Sequence, residues 1–352
     1  MAITGPCYTT RDEVKDALDI KESARVNAQV DRAMAAGRDA VESLCLRKFY
    51  PLVATRVFDW PNFQRAYPWR LWLNQFELIS VTTLTAGGTI LTAGQYFLEP
   101  ANSGPPFTRI DLNRSTSAAW TSTGTPQHAI SVAGVWGFGA DSTPAGALAA
   151  AMTDTTGTAA TVTDSSKVGA GSILLIDAER LIVTDKTMTT TGQTQQGAGA
   201  GTALASDVAL TVTDGTKYAI GEILLLDSER MRVVDIAGNV LTVKRAWDGT
   251  VLATHTGATI YAARLLTVIR GALGTTAATH LIAAPATRHV PPGLVQELAL
   301  AESINSFLQE TSGYARTVGS GDNIRQVSGA GLADLRARCL NAFGRKARQR
   351  VI

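Results

Sequence analysis

A duplicated stretch dictates how this chain is built. Thr161-Val162-Thr163-Asp164, Gly171, Ile173-Leu174-Leu175, Asp177 and Glu179-Arg180 return fifty residues later as Thr211-Val212-Thr213-Asp214, Gly221, Ile223-Leu224-Leu225, Asp227 and Glu229-Arg230. A second pair, Leu241-Thr242-Val243, Arg245, Gly249-Thr250 and Ala253-Thr254-His255, is answered by Leu266-Thr267-Val268, Arg270, Gly274-Thr275 and Ala278-Thr279-His280 at an offset of only twenty-five. Tandem copies would carry both halves forward by one distance, so the order front, front, back, back implies nesting. One unit at 206–263 interrupts another that is split between 157–185 and 265–289. The apolar runs Ile173–Ile176 and Ile223–Leu226, followed by turns holding the acidic residues and by extended patterns from Leu181 and Met231, read as hairpins of small all-β modules. The Thr-, Gln- and Gly-rich stretch 187–201 reads as a linker between them.

Helical periodicity brackets this region. Thr10 and Glu13 have capping-box spacing and open a short helix to Leu18. Val26, Val30, Ala33, Gly37, Val41 and Leu44 form the apolar stripe of a long helix ending before Phe49-Tyr50-Pro51. Beyond the repeats, Pro291-Pro292 open a helix with the stripe Leu294, Leu298, Ala301, Ile304 and Leu308, and a last helix runs over 332–343. Between 55 and 140 the pattern is short strands with Gly87-Gly88 as a hairpin turn, and with Trp60, Trp69, Trp72, Trp120 and Trp136 as packing residues of a small sheet. A stacking platform would need interleaved basic residues, for which Arg65 and Arg70 are the nearest. The fold class expected is therefore α+β: a helical core (1–140 and 290–352) with a small β section, interrupted at 141–289 by an all-β insertion of two nested repeats.

Little in the chain points to chemistry. A net charge of +2 over 352 residues gives no general affinity for nucleic acid. Cys7, Cys45 and Cys339 lack disulfide or metal-ligand spacing. The charged first twenty residues exclude an apolar signal segment, and no run is long enough for a bilayer, so synthesis in the cytoplasm and no membrane partner are expected. Asp177, Glu179, Asp227 and Glu229 cluster oxygens as hard cations require, but no calcium-loop spacing surrounds them. Salt-bridge roles with Arg180 and Arg230 are expected instead, with no metal and no cofactor. His255 and His280 occupy equivalent repeat positions, which argues for a shared structural role. No nucleophile motif or phosphate loop is present, so no enzymatic activity is expected. The basic C-terminal run Arg345, Lys346, Arg348 and Arg350 is the one electrostatic feature with a direction.

With 141–289 set aside, Thr10-Arg11-Asp12-Glu13-Val14-Lys15-Asp16-Ala17-Leu18, Arg47-Lys48-Phe49-Tyr50-Pro51, Leu71-Trp72-Leu73, Leu78–Leu84, Tyr96–Pro100, Ile130–Gly137 and Pro291–Leu294 come in an order that resembles bacteriophage head–tail connector (adaptor) proteins. The repeats resemble small β modules of other phage virion proteins. The resemblance implies a structural virion protein at the head–tail junction, a ring of commonly about twelve subunits. Such a ring docks on the portal protein, meets a downstream tail or stopper protein and lets double-stranded DNA pass without sequence recognition. It also implies docking through the C-terminal segment, which makes Arg345, Lys346, Arg348 and Arg350 the portal-contact candidates. A carbohydrate-binding or decoration protein of a virion surface is the alternative that the β repeats and tryptophans leave open.

Overall fold

In the computed structural model, residues 3–20, 24–60, 67–197, 204–312, 317–318, 325–326 and 330–345 are described. They fall into two compact units: Met1–Leu44, Ser142–Ala272 and Thr276–Phe343 form the first, and Cys45–Asp141, Leu273–Thr275 and Gly344–Ile352 the second.

The first unit opens with α1 (Arg11–Leu18), whose Thr10 hydroxyl accepts from the Glu13 N–H while the Glu13 carboxylate accepts from the Thr10 N–H. It is followed by α2 (Ala24–Cys45). The second unit contains β1 (Leu52–Phe58), β2 (Arg70–Trp72), β3 (Leu78–Ala86), β4 (Thr89–Leu91), β5 (Tyr96–Glu99), β6 (Arg109–Leu112) and β7 (Ile130–Trp136). These make a four-stranded antiparallel sheet, β1-β7-β3-β4, and a three-stranded one, β2-β6-β5. Their core buries Phe58, Leu71, Leu78, Leu84, Ile110, Trp120, Ile130 and Trp136. The indoles pack inside as large apolar bodies and satisfy their N–H groups on carbonyls: Trp136 on Ala54 at 2.8 Å, Trp60 on Trp120 at 2.7 Å and Trp120 on Trp69 at 3.0 Å. Arg70 lies over Tyr67 and pairs with Asp111, and Arg65 lies outside the described residues.

Back in the first unit, β8 (Ser142–Ala147), β9 (Ala159–Thr161), β10 (Ile173–Ile176), β11 (Glu179–Thr194), β12 (Ala209–Thr211), β13 (Ile223–Leu226), β14 (Glu229–Ala237), β15 (Val240–Lys244), β16 (Thr259–Ile269) and β17 (Pro285–His289) form one ten-stranded antiparallel sheet. Its order is β12-β15-β14-β13-β16-β11-β10-β17-β8, with β9 also on β16. Two cores repeat each other at a spacing of fifty: Ala160, Val162, Val168, Leu174, Ile176, Leu181 and Val183 in one, and Leu210, Val212, Tyr218, Leu224, Leu226, Met231 and Val233 in the other. The long strands β11 and β16 run through both modules, pairing from Ile182↔Ile269 to Thr194↔Thr259 across three bulges. Residues 187–194, expected as linker, are strand because β16 supplies a full-length hydrogen-bonding edge for them.

The unit closes with α3 (Gly293–Thr311) and α4 (Ala330–Phe343). Pro292 stands at the N-cap of α3 as expected, but its buried face is Val295, Leu298, Ala299, Glu302, Ser303 and Phe307, turned from the predicted stripe. Gly37 of α2 is the cause. A Cβ there would overlap the Ser303 hydroxyl and lie 2.8 Å from the Ala299 carbonyl, so the bare glycine admits the Ala299–Ser303 ridge. The Ser303 hydroxyl donates to Ala299 O at 2.6 Å, and Glu302 takes Arg336 of α4.

The expected fold class is thereby corrected. The chain is mostly β, 36% strand against 23% helix, with large antiparallel sheets and four helices among the described residues, and it has no helical connector core. Continuous helical stripes dominate a reading by periodicity, whereas short strands such as β9, β10 and β12 signal weakly one by one and acquire their weight only when paired into a sheet.

Candidate functional site

Each hairpin turn places an aspartate in the left-handed region, Asp177 at φ 51° and Asp227 at φ 50°, which a short polar side chain tolerates. The next residue but one then points inward. Glu179 and Glu229 are fully buried, and their partners come from the back halves of the repeats. Arg270 grips Glu179 with two prongs, at 2.8 and 2.9 Å, and Arg245 grips Glu229 with two at 2.7 Å. Backbone N–H groups of Gly271 and Ala278 donate to Glu179, and those of Ala246 and Ala253 to Glu229. The arginines in turn donate to carbonyls, Arg270 to Gly157 O and Ala278 O, Arg245 to Asp207 O and Ala253 O.

The two histidines complete the clusters. His280 Nδ1 faces Asp177 at 2.7 Å and its Nε2 faces Glu179 at 2.8 Å; His255 faces Asp227 at 2.7 Å and Glu229 at 3.0 Å. Both are buried. Burial pushes each glutamate up, but the hydrogen bonds from its arginine, the two backbone N–H groups and the histidine outweigh it and hold both carboxyls at about 2.

Such clusters fasten the chain. The salt-bridge partners expected next door, Arg180 and Arg230, are not those of the glutamates, and Arg230 pairs with Asp248 at 2.8 Å. The oxygens of Glu179 and Glu229 are occupied by N–H donors, and among the described residues no group of three or more His, Cys, Asp or Glu is arranged to hold a metal. A third buried pair, Arg264 with Glu222 at 2.7 and 2.8 Å, joins the modules, since Ser165 also donates to Glu222 at 3.3 Å.

Among the described residues of this unit, one accessible polar feature is a groove of about 230 Å³ between α1, the loop Ser165–Gly169 and the second module, where Gly221, Ile223, Arg232, Trp247 and Asp248 line it. Ion pairs tie α1 across it: Asp12 to Lys186 at 2.5 Å, Asp16 to Arg232 at 3.0 Å and Glu13 to Arg288 at 3.4 Å. Beneath it, buried Arg11 bridges Asp31 at 2.8 Å and Asp185 at 2.6 Å. Sequence reasoning missed this surface because its residues are scattered from Thr10 to Arg288 and carry no local motif.

Of the basic run, Arg345 is held: it sits 3.7 Å from buried Glu77, which Arg47 also approaches at 3.4 Å, and its N–H donates to Cys45 O. Lys346, Arg348 and Arg350 lie outside the described residues. No described helix is long and apolar enough to cross a membrane. No protein-family model, no curated protein and no solved structure matches the chain.

Proposed function

We propose that the chain is a structural protein of a bacteriophage particle, a subunit of the head–tail connector (adaptor) ring that docks on the portal and continues the DNA channel toward the tail. The observation that carries this reading is the sequence order of the connector-like segments from Thr10 to Leu294. It is supported by the meeting of two of them with the tail: Arg47, in the Arg47–Pro51 segment, and Arg345 both approach Glu77, immediately before the Leu78–Leu84 segment. The basic tail thus departs from the connector-like part of the chain. Lys346, Arg348 and Arg350 are the portal-docking residues in this reading, and Arg345 anchors their base. A channel through which DNA slides has no use for strong cationic binding, and the net charge of +2 accords with that.

Electron microscopy of the purified chain, alone and mixed with the portal protein, tests the reading. Closed rings on the portal are expected, and removal of 346–352 should weaken that association. A monomer that ignores the portal and binds glycans would replace the connector with the decoration alternative.

A further inference from the structure

The three-stranded sheet β2-β6-β5 of the second unit turns Leu71, Ile110 and Leu112 into the core, so the alternate positions of its strands face outward. Strand register sets those positions in two rows. Phe97, Asp111 and Arg70 stand side by side in one, and Glu99, Arg109 and Trp72 in the other. Directly opposite positions lie about 5 Å apart. The six side chains thus make one compact outward grid, with an aromatic ring at two diagonal corners and charged groups between them.

On this face charge is balanced but hydrogen bonding is not. Arg109 lies over the Trp72 ring at 5.4 Å, 3.3 Å from Asp111 and 3.6 Å from Glu99, yet among the described residues its guanidinium donates no hydrogen bond. Arg109 Nε and Asp111 Oδ1, which face each other, are both buried without a hydrogen-bond partner. The other oxygen of Asp111 is used, accepting from Arg70 at 3.2 Å. Native folds seldom leave such a donor and acceptor idle, so the pair calls for a group that the chain itself does not supply. The face is open to one: the Arg109 and Glu99 side chains are 26% and 27% exposed. Phe97 is 53% exposed, with no ring or cation over it among the described residues.

We propose that this face binds a neutral oligosaccharide. A sugar hydroxyl both accepts and donates, so one such group accepts from Arg109 while donating to Asp111, and a neighbouring one serves Arg109 and Glu99. Arg109 and Asp111 share no hydrogen bond, so a hydroxyl entering between them breaks none. The apolar C–H face of the sugar ring stacks on Phe97, and Trp72 holds the guanidinium in place from the opposite corner. Two carboxylates beside two arginines repel a phosphate or other anion, and nucleic acid needs uncompensated cations along its path. Peptides in an extended form add to a strand edge or fill a groove, whereas these six groups lie on the pleated face. The site does not rest on the connector reading: a chain that forms rings on the portal can carry it as well.

The test titrates the full chain by calorimetry with maltohexaose, cellohexaose and chitohexaose, and with a single-stranded oligothymidylate for comparison. Saturable binding of at least one sugar and none of the oligonucleotide is expected. Phe97→Ala and Arg109→Gln should each weaken the sugar by roughly tenfold or more, a loss of about 1.4 kcal/mol. Phe97→Tyr, which keeps the ring, should bind as the parent does, and so should Ile90→Ala, a change at a 65% exposed residue of the other sheet. Circular dichroism reports that each variant is folded. Failure of all three sugars to bind at millimolar concentration, binding untouched by both Phe97→Ala and Arg109→Gln, or displacement of the sugar by the oligonucleotide would overturn the site.

Discussion

Arg245 closes both prongs of its guanidinium on Glu229 inside the second module, with side chains 2% and 0% exposed, and Arg270 does the same to Glu179 in the first. A buried carboxylate that loses its only arginine keeps the cost of burial without the compensation. Arg245→Met should therefore destabilise the chain by about 3–5 kcal/mol in denaturant unfolding. The double variant Arg245→Met with Glu229→Leu should recover part of that loss, since the stranded charge goes too.

Acid should attack the same clusters. Glu179 and Glu229 ionise near 4.5 when unfolded and near 2 in the fold, so the folded state binds fewer protons in between. Their contribution is complete above about pH 4.5 and disappears as pH falls toward 2, on the order of 3 kcal/mol for each carboxylate. Urea midpoints measured from pH 7 down to 2.5 should fall mainly below pH 4.5, and Glu229→Gln should flatten that fall.

The ion pairs that hold α1, to α2 on one side and to the β modules on the other, should differ sharply in strength. Arg11 is 9% exposed and holds Asp31, which is 6% exposed, so Arg11→Ala leaves a buried carboxylate and should cost about 3 kcal/mol or more. Arg232 and Asp16 are 37% and 41% exposed, and Arg232→Ala should cost at most about 1 kcal/mol. Thermal unfolding of the two variants side by side checks the contrast.

Equivalent glycines should not be equally replaceable. Alanine at either Gly171 or Gly221 adopts a left-handed backbone at a cost of about 1–2 kcal/mol. At Gly171 the new methyl also meets Met34, Cys7 and Thr9, which adds about 1–3 kcal/mol of overpacking, whereas at Gly221 it enters open groove. Gly171→Ala should unfold at clearly lower denaturant than Gly221→Ala.

Much of the β architecture was legible because duplication exposes it: Leu174 and Leu224, or Val183 and Val233, are buried alike at positions where the sequence repeats. The capping box of α1 and the proline that opens α3 were local signals and were readable for that reason. The glutamate partners were not, because Arg180 and Arg230 are neighbours in sequence while Arg270 and Arg245 are neighbours in space. A signal did exist. Arg245 and Arg270, and likewise His255 and His280, are equivalent in the second repeat pair, and joining the two repeat pairs would have linked each arginine and histidine to its glutamate. The rotation of α3 and the dominance of sheet depend on Gly37 meeting Ser303 and on strand pairing over long separations, which no window of sequence contains.

The strands β11 and β16 belong to both modules at once, and this governs how the β region comes apart. Opening either module frees one end of a ladder whose other end lies in the core of its sibling, so neither can melt as an independent foldon. Amide exchange should show this as a shared opening energy for Val183, in the first module, and Thr190 and Thr194, in the second. A duplication that began as two small folds has become one cooperative block.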